Sequence, residues 1–167
     1  MRDERERAWE YLLNLLSRQA YTVAELRAKL ERRRVEPDLA EALLARLVEL
    51  RLVDDEAYAE RFVAGRRDTH GRLVLRRELR RRGVDEEVAA PHLGSLDPEQ
   101  QAAAALAPLR KNAWRYRPAE PEGEEDEHAR FARLKRAEAK ARAYLARRGF
   151  DPDAVQSAVE AVGWFET

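Results

Sequence analysis

The sequence predicts an all-α protein built from three tandem three-helix repeats of the helix-turn-helix type. Two observations lead to this fold class. Apolar residues recur three and four positions apart along most of the 167-residue chain, which is the spacing of helices with one buried face. In addition, one pattern occurs three times, at residues 22–35, 71–84 and 137–150. Periods of about 20 to 50 residues are typical of stacked units that are each too small to bury an apolar face alone.

The middle copy of the pattern shows how each copy forms a helix. Leu75 and Leu79 are four residues apart, so they lie one above the other on the face that points inward. Gly83 tolerates the left-handed backbone that ends a helix. The same leucine and the same ending recur at Leu30 and Leu145 in the other copies.

The first repeat is predicted to occupy residues 1–53. After a charged segment at residues 1–7 that we expect to be frayed, a stripe of apolar residues places the first helix over residues 8–19. Thr22 and Glu25 have the spacing of a capping box, which begins the second helix.

Two residues bear on how the second helix ends and the third begins. Arg34 stands where the other copies have glycine, so either it adopts a left-handed conformation at a cost of about 1 kcal/mol or this helix ends differently. Pro37 fits the first turn of the third helix.

The second repeat is predicted to occupy residues 54–96. Asp54 or Asp55 can cap its first helix, and the arginine-rich copy of the pattern forms the second. The third helix begins at Asp85 and is expected to be short or kinked, because Pro91 removes a backbone donor.

The third repeat is predicted to occupy residues 97–167 and contains an insertion. A long alanine-rich helix runs to about Arg115, followed by an acidic loop at 118–127 whose prolines, glycine and like charges predict an exposed, mobile segment. A helix over 128–148 comes next, and a last helix stops at Gly163.

The charges of the chain balance overall but are distributed unevenly along the sequence. Lys+Arg and Asp+Glu number 32 each, so the net charge is zero, yet residues 61–82 carry nine arginines against two acids. The absence of cysteine fits a reducing cytoplasm, and no apolar run is long enough to span a membrane. We therefore expect a cytoplasmic protein that is not inserted in a membrane.

The arginines of the middle copy form one cationic helix face. Arg76, Arg77, Arg80 and Arg81 lie on the arc away from the leucines. Such a face is either a solvated surface or a contact for an anionic partner. The first and third copies keep only two basic residues at these four positions, which favours a role specific to the middle repeat.

No motif for catalysis, cofactor binding or metal binding occurs in the sequence. It has no phosphate-binding glycine-rich loop, no GxSxG and no cluster of histidines, and His70, His92 and His128 are far apart in sequence. We therefore expect neither an enzyme nor a cofactor or metal. The tryptophans, Trp9, Trp114 and Trp164, are expected in the core or at junctions rather than as stacking platforms for bases.

Four segments resemble a known family. The sequences AWEYLLNLLSRQAYTVAELRAKL, LVELRLVDDEAYAERFV, GRLVLRRELRRRGVDEEV and ARAYLARRGFDPDAV, in this order, are similar to the bacterial recombination regulator RecX. The resemblance is densest over residues 8–88. Arg34 and Arg51, at turns where the family commonly has glycine, and the acidic loop depart from the family pattern.

The resemblance implies a non-enzymatic, elongated and curved array of repeats that lies in the groove of the RecA–single-stranded DNA filament. There it would restrain ATP hydrolysis and strand exchange by RecA, and so limit homologous recombination and the SOS response. We expect a monomer that binds RecA and its filament, with at most weak direct binding to DNA. The expected contact residues are Arg66, Arg67, Arg72, Arg76, Arg77, Arg80 and Arg81.

Two alternatives remain open. The repeats could be helix-turn-helix modules that read duplex DNA without RecA, although zero net charge and apolar third helices speak against this. The chain could also be an adaptor for proteins alone, with the arginine face merely solvated.

Overall fold

The computed structural model describes residues 3–166, and no strand occurs in that range. The all-α class and its three-helix repeats are confirmed. The helices of residues 3–166 are α1 Glu4–Leu16, α2 Val23–Arg32, α3 Pro37–Glu49, α4 Asp55–Ala64, α5 Arg72–Arg81, α6 Glu86–Gly94, α7 Pro98–Lys111, α8 Ala113–Tyr116, α9 Glu127–Arg147 and α10 Pro152–Val162.

The contacts within the chain define two compact units. The first contains the residues up to 62 together with 78–92, and the second contains 63–77 together with the residues from 93 onward. Helices α4 and α5 therefore each contribute residues to both units. The predicted repeat boundaries at residues 53 and 96 remain a prediction.

The first helix begins earlier than predicted. Helix α1 starts at Glu4, within the segment expected to be frayed, and ends at Leu16. Glu4 and Glu6 lie in its first turn, where negative charge is stabilised by the helix dipole. Met1 and Arg2, which belong to the same predicted frayed segment, lie outside the described residues.

The core of the first unit forms from the apolar faces that the sequence pattern predicts. Leu12, Leu26, Leu30 and Leu47 are fully buried in one cluster. The predicted capping box is confirmed: the Glu25 N–H donates to Thr22 Oγ1 over 3.1 Å, and the Thr22 N–H donates to Glu25 Oε2 over 3.0 Å. Pro37 occupies the first turn of α3, as predicted.

The three copies of the pattern end in the same way. Gly83 and Gly149 have φ of 76° and 82°, and Arg34 has a φ of 57°, so the left-handed alternative for Arg34 is confirmed. In each copy, the residue that follows donates its N–H to a carbonyl five residues earlier, which is the bond of a Schellman ending. These bonds are Val35 to Leu30 (3.2 Å), Val84 to Leu79 (3.1 Å) and Phe150 to Leu145 (3.3 Å).

The alanine-rich helix is shorter than predicted, and one tryptophan is placed differently. Helix α7 ends at Lys111, and Asn112 (φ −110°, ψ 33°) separates it from the single turn of α8. Tyr116 of α8 is buried and stacks on Tyr144, with ring centroids 4.5 Å apart. Residues two positions apart on a helix point about 200° apart around its axis, so burial of Tyr116 turns Trp114 outward. Trp114 is 82% exposed, so its prediction as a core or junction residue is wrong.

The acidic loop is exposed, as predicted, but Arg133 of α9 holds it near both of its ends. Arg133 donates from Nη2 to Glu125 Oε2 over 2.8 Å and from Nη1 to the carbonyl of Ala119 over 2.7 Å. The hydrogen bond from Arg133 lowers the pKa of the Glu125 carboxyl. The loop therefore has a fixed point that its composition does not indicate.

Candidate functional site

Consecutive repeats are connected by a hydrogen bond between equivalent positions, which we call the repeat joint. In the first unit, Thr22 Oγ1 donates to the carbonyl of Arg82 over 2.6 Å. In the second unit, the Gly71 N–H donates to the carbonyl of Arg148 over 3.0 Å. Gly71 holds the position of Thr22 in the repeated pattern, and Arg148 holds that of Arg82. Each joint thus fixes the start of one second helix against the end of the next.

The joint of the first unit brings α2 and the end of α5 into close contact. A Cβ atom at Gly83 would lie 2.2 Å from the Cβ of Ala24, so only glycine fits there without a shift. Asp55 supports the same helix start, since its Oδ1 accepts the Val23 N–H over 2.9 Å. Burial raises the pKa of the Asp55 carboxyl above its ordinary value.

This close contact forms a cationic cleft of about 440 Å³ between α2 and the end of α5. Five cations and one carboxylate line it, which gives a formal charge of +4 inside a chain with no net charge. The lining residues of the cationic cleft are Tyr21, Ala24, Glu25, Ala28, Lys29, Arg32, Arg80, Arg81, Arg82 and Gly83.

The cations of the cleft differ in their partners. Arg82 pairs with Glu25 over 3.2 Å, and Arg81 pairs with Glu78 over 3.4 Å while its side chain stays 73% exposed. Arg32 and Arg80 are exposed and form no ion pair with another residue of the described range 3–166. Arg82 therefore holds the cleft together, whereas Arg32 and Arg80 are available to an anion.

The expected contact residues of the second unit fall into two groups. Arg66, Arg67, Arg76 and Arg77 are exposed. Arg72 is half-buried, and its Nη2 donates to the carbonyl of Leu96 over 2.8 Å. The geometry thus gives Arg72 a positioning role inside the second unit, in contrast to its exposed neighbours.

A buried glutamine orders the segment that carries these arginines. Gln101 is 1% exposed, accepts the Arg72 N–H over 2.9 Å and donates to the carbonyl of Arg67 over 3.3 Å. Buried polar groups need such partners, so Gln101 fixes the backbone between α4 and α5.

Sequence reasoning did not place Lys29 and Arg32 at the site, because they belong to the first repeat. The only available signal was their basic character on a helix with a strong N-terminal cap. Within residues 3–166, no helix is long and apolar enough to cross a membrane.

The fold and the cleft define a helical-repeat protein with a cationic surface. Family models described as the first and the second three-helix domain of RecX match residues 8–47 and 54–92. Regulatory protein RecX of Mycolicibacterium vanbaalenii is 36% identical over 148 residues, covering 87% of this chain and 77% of that protein. The chain therefore belongs to the RecX family of regulatory proteins.

Two further comparisons agree with this assignment. Regulatory protein RecX of a Mycobacterium species (strain JLS) is 44% identical over 94 residues, and the match covers 55% of this chain and 51% of that protein. The chain thus aligns with about half the length of this relative. The crystal structure of RecX from Lactobacillus salivarius has the same fold, with a TM-score of 0.80, 22% identity and coverage of 95% of this chain and 96% of that one.

Proposed function

We propose that this chain binds the RecA–single-stranded DNA filament and restrains its ATP hydrolysis and strand exchange. In this role it is a negative modulator of homologous recombination and of the SOS response, and it acts by binding rather than by catalysis. Membership of the RecX family supports a regulatory role, since the relatives carry the name regulatory protein.

The cationic cleft is the observation that carries the proposal. It gathers a formal charge of +4 at the contact between two repeats, while the chain as a whole is neutral. A neutral chain gains little from non-specific attraction to DNA, because that attraction depends on the number of phosphates neutralised. A local cationic surface instead suits a composite partner of protein and phosphate backbone, where complementary charge gives specificity. We assign the filament contact to the cleft cations and to the exposed arginines of the second unit, with Arg72 as a positioning residue. The contact residues are Arg32, Arg80, Arg81, Arg66, Arg67, Arg76 and Arg77.

The direct test adds the protein to preformed RecA filaments on single-stranded DNA and follows ATP hydrolysis. We expect hydrolysis to fall as the protein concentration rises. Unchanged hydrolysis at saturating protein would contradict the proposal. Tight binding to duplex DNA without RecA, lost steeply with salt, would instead favour a helix-turn-helix reader of duplex DNA.

A matched pair of double variants tests the cleft itself. Arg32→Gln with Arg80→Gln removes two charges from the cleft. Arg27→Gln with Arg46→Gln removes two charges from the same unit, where Arg27 pairs with Glu41 over 2.6 Å outside the cleft. Exposed substitutions usually cost within about 0.5 kcal/mol, so both variants should unfold at nearly the wild-type midpoint.

The two variants should differ in the filament assay. We expect the cleft variant to need at least several-fold more protein for half-maximal inhibition, and the second variant to match the wild type. Equal loss in both, or in neither, would show that the cleft does not contact the filament.

A further inference from the structure

Trp114 is the most exposed large apolar side chain of the residues that the structure describes. It is 82% exposed, whereas Phe131, Leu73 and Val48 are between 47% and 48% exposed. A tryptophan side chain can bury 150–250 Å² of surface, roughly, and an exposed one forgoes that stabilisation. Its outward position follows from the burial of Tyr116, so it is fixed by the fold of α8.

The surroundings of Trp114 in sequence are cationic. Residues 100–119 contain four basic residues and no acidic one. All four lie within four positions of Trp114 and are exposed: Arg110, Lys111, Arg115 and Arg117. Lys140 of α9 joins them, because its Nζ donates to the carbonyl of Arg115 over 3.2 Å.

The exposed tryptophan and the basic residues near it together indicate what kind of partner this surface binds. An apolar protein surface would be met by further exposed apolar side chains, whereas the exposed residues within four positions of Trp114 in the chain are all basic. Single-stranded nucleic acid offers flat bases that stack on aromatic rings and phosphates that attract cations, and proteins bind it with aromatic platforms in positively charged grooves. Acidic and amphipathic peptides do not alternate flat rings with phosphate groups, so they match this surface less well.

We propose that the α8 surface of the second unit binds single-stranded nucleic acid, with Trp114 stacking on one base. Lys111, Arg115 and Arg117 then contact the flanking phosphates. The inference goes beyond the proposed regulation of RecA and does not depend on it, since the binding requires no RecA.

The test measures anisotropy of fluorescein-labelled oligothymidylate and oligouridylate with the full chain alone. Stacking contributes roughly 1–3 kcal/mol per base, so Trp114→Ala should weaken binding roughly five- to hundredfold. Trp114→Tyr keeps an aromatic ring and should recover most of the affinity. Similar affinity for the two oligonucleotides supports recognition of a single strand in general, and a preference for one of them identifies which nucleic acid is bound.

Phe131→Ala is the matched control. Phe131 is also an exposed aromatic residue of the second unit, but Lys135 Nζ lies 5.7 Å from its ring centroid, so one face of the ring is already in contact with a cation of the chain, and Asp126 and Glu127 lie beside it. We expect this variant to bind as the wild type does. Circular dichroism should be unchanged in all three variants, because the substituted side chains are exposed.

Two outcomes overturn the inference. One is the absence of oligonucleotide binding by the wild type at low salt, and the other is equal affinity of wild type and Trp114→Ala. If Trp114→Ala binds the oligonucleotides normally but no longer slows ATP hydrolysis by RecA filaments, the surface contacts a protein and the stacking site is refuted.

Discussion

Replacement of Gly83 by alanine should destabilise the first unit for two separable reasons. The φ of 76° costs an L-residue about 1–2 kcal/mol. The added Cβ would also lie 2.2 Å from the Cβ of Ala24, and overpacking of this kind typically costs about 1–3 kcal/mol. We therefore expect a total of about 2–5 kcal/mol.

Two further substitutions separate these contributions. Gly163→Ala imposes a comparable φ of 64°, but no atom lies within 4 Å of its Cβ, so it should cost only about 1–2 kcal/mol. Ala24→Gly removes the clashing Cβ and leaves the Cα of residue 24 at 3.7 Å, an ordinary contact. In the Gly83→Ala background, Ala24→Gly should therefore restore much of the lost stability, despite the helix propensity that it gives up.

Urea unfolding followed by circular dichroism measures each variant, and a double-mutant cycle gives the coupling of residues 24 and 83. Gly83→Ala should destabilise the Ala24→Gly variant by about 1–3 kcal/mol less than it destabilises the wild type. The reasoning is refuted if Gly83→Ala costs no more than Gly163→Ala, or if the cycle shows no coupling.

Three other predictions follow from single contacts. Arg34→Gly should stabilise the protein by about 1 kcal/mol, seen as a higher thermal midpoint, since Arg34 has a φ of 57°; an unchanged or lower midpoint would contradict this. Asp55 has a raised pKa, so the folded state holds its proton to higher pH than the unfolded state does, and its contribution to stability is lost as pH rises through the raised value. Asp55→Asn should therefore be relatively more stable than wild type at neutral pH, with an advantage that disappears below the ordinary pKa of aspartate; urea unfolding across that range would show a constant difference if the idea is wrong. Arg133→Gln should increase hydrogen exchange in residues 118–127 while leaving the thermal midpoint nearly unchanged, because the ion pair with Glu125 holds only the loop; unaltered exchange would show that other contacts hold it.

The features that sequence predicted well are local. Helix caps and endings depend on residues within one or two turns, so the Thr22 capping box and the Gly83 ending could be read directly. The burial of Leu75 and Leu79 likewise follows from helical spacing, and both are 0% exposed.

The features that sequence did not predict depend on distant residues. The break at Asn112 occurs together with the packing of Tyr116 on Tyr144, a contact between residues 28 positions apart in sequence, and burial of Tyr116 reverses the expected environment of Trp114. The cationic cleft forms because two segments about 50 residues apart in sequence come into contact at one joint. The apolar periodicity of a sequence predicts helices but does not indicate which helix ends will be in contact.

The two joints have a consequence for where this chain can be divided. A fragment that stops at residue 53 would leave Thr22 Oγ1 without the carbonyl of Arg82, its acceptor in the intact chain. One partner of each joint lies beside an end of helix α5. Arg82, which follows the helix, accepts from Thr22, and Gly71, which precedes it, donates to Arg148. A single repeat would therefore lack a hydrogen-bond partner that, for the first and the second copy, the following copy supplies. Deletions within the acidic loop, which leave the residues on both sides of it in one chain, should therefore be tolerated more readily than fragments cut between repeats.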